Sequence, residues 1–375
     1  MWDMWEVHRR RRLAAALGAQ TLAAAALLGM GAGAAGAAEP TCFGAAATVT
    51  GTQGTPGDDV IIGTPGNDRI DGAGGDDRIC GLGGNDVLGG GAGHDSVAGG
   101  TGDDQVDGGL GDDLLVGDDY ADGDVTGSVA GRDQINGGGD NDNVFGDNVS
   151  AGGKAVGAAS DTIHGGAGDD SLTGDSSGVE ASGGANDFLH GDDGEDIIVG
   201  DSYAVTKATG AGDDVILLGQ GGFDFAVGDS RAADAVDGAG GDDTIDLGTD
   251  GGFGAAGDHV ADFGKSTGSG RDRVTGGSAD EIVLLGDSVT NTATDATAAA
   301  DVVNGRGGAD RIFGDNVDSA LEVSIGTVGG ADTLFGGDGP DHVRGGPGPD
   351  RLNGGPGTDD CDGEAGADIE TACEV

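Results

Sequence analysis

Seven nonapeptides run in frame from Gly54 without a gap: GTPGDDVII, GTPGNDRID, GAGGDDRIC, GLGGNDVLG, GGAGHDSVA, GGTGDDQVD and GGLGDDLLV. In each, positions 1 and 4 are Gly, position 6 is Asp and position 8 is Ile, Leu or Val. A short fixed period of this kind points to stacked repeats, because one unit cannot bury its apolar residue alone. Gly tolerates positive φ, so six residues can curl tightly with their carbonyls turned inward. The remaining three fit a short strand whose middle side chain points to one face. That face receives Ile61, Ile70, Ile79, Leu88, Val97, Val106 and Leu115. One apolar residue in nine makes a narrow core.

Composition sharpens the reading. Of 375 residues 86 are Gly and only 3% are aromatic, so hydrophobic burial is thin. The formal net charge is −51, which speaks against a nucleic-acid partner, since phosphate binding needs clustered Lys and Arg. It makes divalent cations the natural counter-charge, although composition alone also allows a solvated disordered chain. Carboxylate and carbonyl oxygens converging from neighbouring turns are hard ligands that suit Ca²⁺ at about six to eight per ion, whereas Mg²⁺ demands a tighter octahedron.

These units resemble the haemolysin-type, or RTX, calcium-binding repeat, with its pattern Gly-Gly-x-Gly-x-Asp-x-apolar-x. The resemblance implies an all-β fold: a parallel β-roll, or β-helix-like solenoid, in which two nonapeptides make one turn and Ca²⁺ lies between turns. It also implies that the position-6 aspartates, Asp59, Asp68, Asp77, Asp86, Asp95, Asp104 and Asp113, are metal ligands. The sequence departs from the pattern at position 2 of the first four units, where Thr55, Thr64, Ala73 and Leu82 replace Gly. That departure bears on the affinity of those loops more than on their fold.

Past residue 117 the same position continues with interruptions at Asp133, Asp142, Asp161, Asp170, Asp187, Asp196, Asp214, Asp224 and Asp243. A longer period of about 28 residues emerges, two units plus extra residues, in which Gly-Asp-Asp, Gly-Asp-Asn or Gly-Asp-Ser follows the second strand. Either a full turn pushes out a loop each time, the favoured geometry, or one of three nonapeptides has decayed. The phase weakens between Gly248 and Glu281, where Asp272 still fits, and recovers at Asp301, Asp310, Asp332, Asp341, Asp350 and Asp359. Glu370 takes the apolar position of the final unit, as suits a terminal cap. The resulting organisation is a signal peptide at 1–38, an N-terminal cap at 39–53, regular repeats at 54–117, longer repeats at 118–300, and repeats with a C-terminal cap at 301–375.

The first segment reads as an export signal: Arg9 to Arg12, then an uncharged Ala/Leu-rich stretch, then Ala35-Gly36-Ala37 ahead of Glu39. An uncleaved anchor is the rival, and no later stretch is apolar enough to span a membrane. Cys42, Cys80, Cys361 and Cys373 make an even set, which in an exported protein favours disulfides. Pairing neighbours, Cys42 with Cys80 and Cys361 with Cys373, is preferred because the other connectivities would bring distant ends together.

Catalytic motifs are weak. Ser176 and Ser266 lie in Gly-x-Ser-x-Gly, but no helical periodicity supplies the strand-to-helix elbow that motif needs. Gly264-Lys265-Ser266 lacks a phosphate loop's first glycine, because His259 sits there. His94, His164, His190 and His342 occupy variable repeat positions. The expectation is therefore a secreted, extracellular or cell-surface calcium-binding protein that folds with calcium and is not an enzyme. An adhesin using the loops around Asp147, Asp201 and Asp315 toward a cell-surface or polysaccharide partner is one alternative. A cryptic hydrolase built on Ser176 is the other.

Overall fold

The computed structural model describes residues 41–49, 51–291 and 298–374. The signal-peptide reading of residues 1–38 lies outside them. Every regular element among the described residues is a strand. Two sheets of 13 strands each run the length of the roll, one from Val60–Ile62 to Asp360–Asp362 and the other from Arg69–Asp71 to Ile369–Thr371. We call them the first and second sheets. Consecutive nonapeptides alternate between them, so two units make one turn. The pairing is parallel and in register: Ile61 lies beside Ile79, and Ile70 beside Leu88. The position-8 residues form a single buried file between the sheets, from Ile61 to Leu352. Such a file follows from the sequence, because in a three-residue strand only the middle side chain faces the partner sheet.

Position 2 takes a left-handed backbone in several regular units. Gly91, Gly100 and Gly109 have φ of 113°, 96° and 108° there, and Ala73 and Leu82 are held at 76° and 81° despite their Cβ atoms. The stacked neighbours thus impose a conformation that disfavours a side chain by about 1–2 kcal/mol, and the fold survives the departures at those units.

The longer repeats keep the roll's register. Leu115 pairs with Val144 and Val144 with Leu172, so each period is still one turn. The extra residues enter between positions 2 and 4 of successive units on one edge, from residues 118–131 to residues 315–330. Each period is thus one full turn with an insertion, and among the described residues six of the eight insertions contribute strands rather than free loops. Segments such as Val149–Ser150, Ser177–Ser182, Tyr203–Thr209 and Arg231–Ala232 pair in parallel as part of a third sheet of nine strands. We call these insertions arms. They stack because the first sheet's position-9 side chains need cover: Val199, Val227, Leu285 and Phe313 cluster with Val260, Val289 and Val317 of the arms. A small core of Ala181, Ala204, Ala208, Ala232, Val236 and Ala261 lies within the arms themselves. The series continues past the boundary drawn at residue 300.

Disulfides Cys42–Cys80 and Cys361–Cys373 close the two ends of the roll, in the neighbour pairing expected. The first ties an antiparallel hairpin, Thr41–Cys42 with Ala45–Ala46, to the first sheet. At the other end Glu370 pairs with Leu352, and its carboxylate accepts the Gly363 N–H at 3.0 Å.

Candidate metal centres

Each position-6 aspartate immediately precedes its strand, so strand stacking lines the carboxylates up along the two edges of the roll. The arm edge carries Asp68, Asp86, Asp104, Asp133, Asp161, Asp187, Asp214, Asp243, Asp272, Asp301, Asp332 and Asp350. The plain edge carries Asp59, Asp77, Asp95, Asp113, Asp142, Asp170, Asp196, Asp224, Asp310, Asp341 and Asp359. One carboxylate oxygen serves the backbone. The Asp86 N–H donates to Asp104 Oδ1 at 2.7 Å, the Asp161 N–H to Asp187 Oδ1 at 2.8 Å, and the ladder repeats from turn to turn. The other oxygen, Oδ2, is buried without a hydrogen-bond partner at Asp77, Asp113, Asp170, Asp196, Asp243 and most of the rest.

The position-1 glycines make room for that oxygen. A methyl group on Gly72 would collide with Asp77 Oδ2 and with the Gly90 carbonyl of the next turn. Gly108 stands likewise against Asp113 Oδ2 and the Gly137 carbonyl, and Gly165 against Asp170 Oδ2 and the Gly191 carbonyl. Carboxylate and carbonyl oxygens from two turns therefore face one small space. Burying an unpaired carboxylate is strongly unfavourable, and an all-oxygen cradle fits a hard cation such as Ca²⁺.

The electrostatics agree. Without a cation, burial pushes Asp77 up to about 6, Asp104 and Asp113 to about 7, and Asp133, Asp142 and Asp196 to about 8. Neighbouring aspartates on the same edge push in the same direction. Such sites must either take up protons or gather positive charge.

Four units depart from the pattern. The Thr55 N–H and hydroxyl donate to Asp59 Oδ2 at 2.6 and 2.8 Å, and Thr64 does the same to Asp68 at 2.6 and 2.9 Å. The position-2 threonines thus occupy the oxygen that elsewhere has no partner. Asp59→Asn is expected to leave the number of bound calcium ions unchanged, whereas Asp170→Asn lowers it; equilibrium dialysis against calcium distinguishes the two. Farther along the plain edge, the turn carrying Asp224 begins with Leu218 in place of the cradle glycine, and the next begins with Leu247. Both side chains are fully buried in the core. Phe253 then stands where an aspartate belongs, immediately before the strand Gly254–Ala256.

Glu281 restores the acid one turn later. Its N–H donates to Asp310 Oδ1 at 3.0 Å, Oε1 accepts the Gly277 N–H at 2.9 Å, and Oε2 has no partner. Glu281 follows Asp272 by the regular nine residues, but it is Glu rather than Asp, and an extra residue, Ile282, separates it from its strand.

A second set of acids escaped the sequence reading. Asp118, Asp147, Asp175, Asp201, Asp229, Asp258, Asp287 and Asp315 begin the arms at position 2, and all are buried. Each accepts the N–H that closes its arm: Gly131 to Asp118 at 3.1 Å, Gly212 to Asp201 at 3.2 Å, Gly330 to Asp315 at 2.8 Å. Burial, with the charges of Asp133 and Asp147 beside it, pushes Asp118 up to about 9. The recurrent Gly-Asp-Ser and Gly-Asp-Asn were the available signal, read as loop sequence. The carboxylates of Asp147, Asp201 and Asp315 are buried at the arm bases.

The remaining candidates fall into place. Ser176 and Ser266 are buried and donate to the Gly157 and Val289 carbonyls at 3.2 and 3.0 Å, a geometry that spends each hydroxyl on the backbone. His259 is buried and held neutral, its pKa lowered to about 4 by burial. Its Nδ1 accepts the Ser230 N–H at 3.3 Å, and Nε2 faces the Ala239 carbonyl at 3.2 Å. Strand register brings His164 and His190 together on Asp192, at 3.1 and 2.8 Å.

A family model described as the RTX calcium-binding nonapeptide repeat matches residues 53–88, 89–123, 130–149, 156–177, 182–202, 295–318, 328–360 and 335–370, together more than half of the chain. The roll runs without a break through residues 203–291, which that model does not match. No curated protein matches the chain.

Proposed function

The chain belongs to the family built on the RTX calcium-binding nonapeptide repeat, and on that footing we propose that it is a secreted structural or cell-surface protein whose roll folds as calcium binds. It binds several calcium ions. The observation that carries the reading is the row of buried, unpartnered Oδ2 atoms facing the carbonyls of adjacent turns. In each complete turn the position-6 aspartate and the cradle carbonyls would hold the ion. When bound, calcium supplies the positive charge that these carboxylates lack and joins two turns. The rest is done by the chain: the Asp N–H to Oδ1 ladder fixes each carboxylate, and the cradle glycines keep the space open.

Folding after export suits this design. A single file of aliphatic side chains is poorly matched to an ordering entropy of about 1–2 kcal/mol per residue. Binding free energy then becomes folding free energy. Extracellular calcium modules work at Kd values on the order of 10⁻⁴–10⁻³ M, and two disulfides suit an oxidising compartment. The test is N-terminal sequencing of the chain recovered from the medium or surface of producing cells. A start at Glu39 is expected; retention inside the cell with the Met1 end intact would contradict export.

A further inference from the structure

The arm edge differs from the plain edge in how much buried charge each turn carries. Wherever an arm leaves the roll, position 2 is Asp, eight times in succession from Asp118 to Asp315. In seven of the eight, one oxygen takes the N–H that closes the arm and the other has no partner. Asp201 illustrates the arrangement. Its Oδ2 accepts the Gly212 N–H at 3.2 Å, and its Oδ1 is buried and unpartnered. Asp214, at position 6 of the same turn, also has a buried, unpartnered Oδ2, set against the cradle at Gly200 and the Gly228 carbonyl. The pairs Asp175 with Asp187 and Asp287 with Asp301 repeat this. At Asp229 both oxygens lie toward the Gly241 N–H.

Stapling an arm shut needs only one acceptor oxygen, which Asn or Ser supplies without burying a charge. A second carboxylate oxygen, unpartnered in the same turn as another, calls for positive charge between them. We propose that the arm edge holds a second, tighter class of calcium sites, one at each of the seven arms whose aspartate keeps an unpartnered oxygen, in which the position-2 and position-6 carboxylates of a turn share the ion. The inference rests on calcium being the ligand of the roll. Its physical basis is ligand charge: two carboxylates per ion rather than one is a lever by which oxygen sites gain calcium affinity.

Equilibrium dialysis of the purified full chain against radioactive calcium tests it. The unsubstituted chain is expected to give two classes of sites. Combined Asp175→Asn, Asp201→Asn and Asp287→Asn keeps the arm-closing acceptors and should remove one tight ion per arm substituted. Combined Asp142→Asn, Asp170→Asn and Asp196→Asn on the plain edge should deplete the weaker class instead. Circular dichroism at saturating calcium checks that each variant folds; where the triple variant does not, Asp201→Asn alone is read in the same way. A tight class unchanged in the arm variant overturns the inference. Absence of calcium binding by the unsubstituted chain overturns the underlying reading of the roll.

Discussion

In calcium-free buffer the chain is expected to gain β-structure on acidification from about pH 9 to about pH 4, the reverse of ordinary acid denaturation. The sign follows from the direction of the shifts. Buried position-6 aspartates have folded-state values raised to about 6 at Asp77, 7 at Asp104, 8 at Asp142 and 9 at Asp310, mainly by burial. The unfolded value is about 3.9. A group raised in this way contributes stability below its unfolded pKa and loses it as pH rises through the folded value. The window therefore runs from about pH 4 to about pH 9. Calcium reverses the slope, because its ligands must be ionised. The loaded roll should lose calcium, and with it the extra stability, as pH falls. Far-UV circular dichroism in chelator and in millimolar calcium across that range reads both slopes. Salt separates this effect from the self-repulsion of a chain with net charge −51: high salt screens surface charge but does not neutralise buried carboxylates. Salt at pH 8 should therefore fail to replace acid. A calcium-free roll that gains structure toward alkaline pH would contradict the account.

The cradle glycines give the second large effect. A Cβ on Gly200 would meet the Gly228 carbonyl and Asp214 Oδ2 well inside contact distance, whereas one on Gly222 would meet nothing within 4 Å. Gly200→Ala must push apart two turns of a roll whose rungs are locked in register, and it intrudes on the space facing Asp214. Overpacking of this kind costs about 1–3 kcal/mol, and loss of the ion that would fill the space adds to it. Gly200→Ala should therefore raise the calcium concentration at the folding midpoint several-fold and remove calcium binding at that turn, with Gly222→Ala as the neutral control. Equal midpoints for the two variants would mean that the space at Gly200 has no part in calcium binding.

Much of the roll was legible because its rule is local and repeated. Gly at positions 1 and 4, Asp at 6 and an aliphatic residue at 8 dictate curl, ligand and core one unit at a time, and register then follows from stacking identical units. The arms were less legible because their order is not periodic at nine residues. Val260 bridges to Val289 and Val289 to Val317, partners 29 and 28 residues apart, so the segments read as loops although they pair in parallel. The weak phase after Gly248 had a physical cause that a count of aspartates could not reveal. Leu218 and Leu247 replace cradle glycines and bury in the core, Phe253 replaces an acid, and Glu281 reaches back across one extra residue.

The arm aspartates were visible as Gly-Asp-Ser and Gly-Asp-Asn. What the sequence did not convey was burial: one oxygen on a backbone N–H and, in seven of the eight, the other buried without a partner. The opposite lesson comes from Asp59 and Asp68, which match the pattern yet already receive two donors from Thr55 and Thr64. A position-2 Thr thus takes up the carboxylate oxygen that in most other units has no partner.

The most direct test of calcium-coupled folding is a calcium titration of the chain at neutral pH, starting from chelator and followed by far-UV circular dichroism with a magnesium control. A cooperative gain of β-structure with calcium and none with magnesium is the predicted result. A full β-signal in chelator, or an equal response to magnesium, would contradict it.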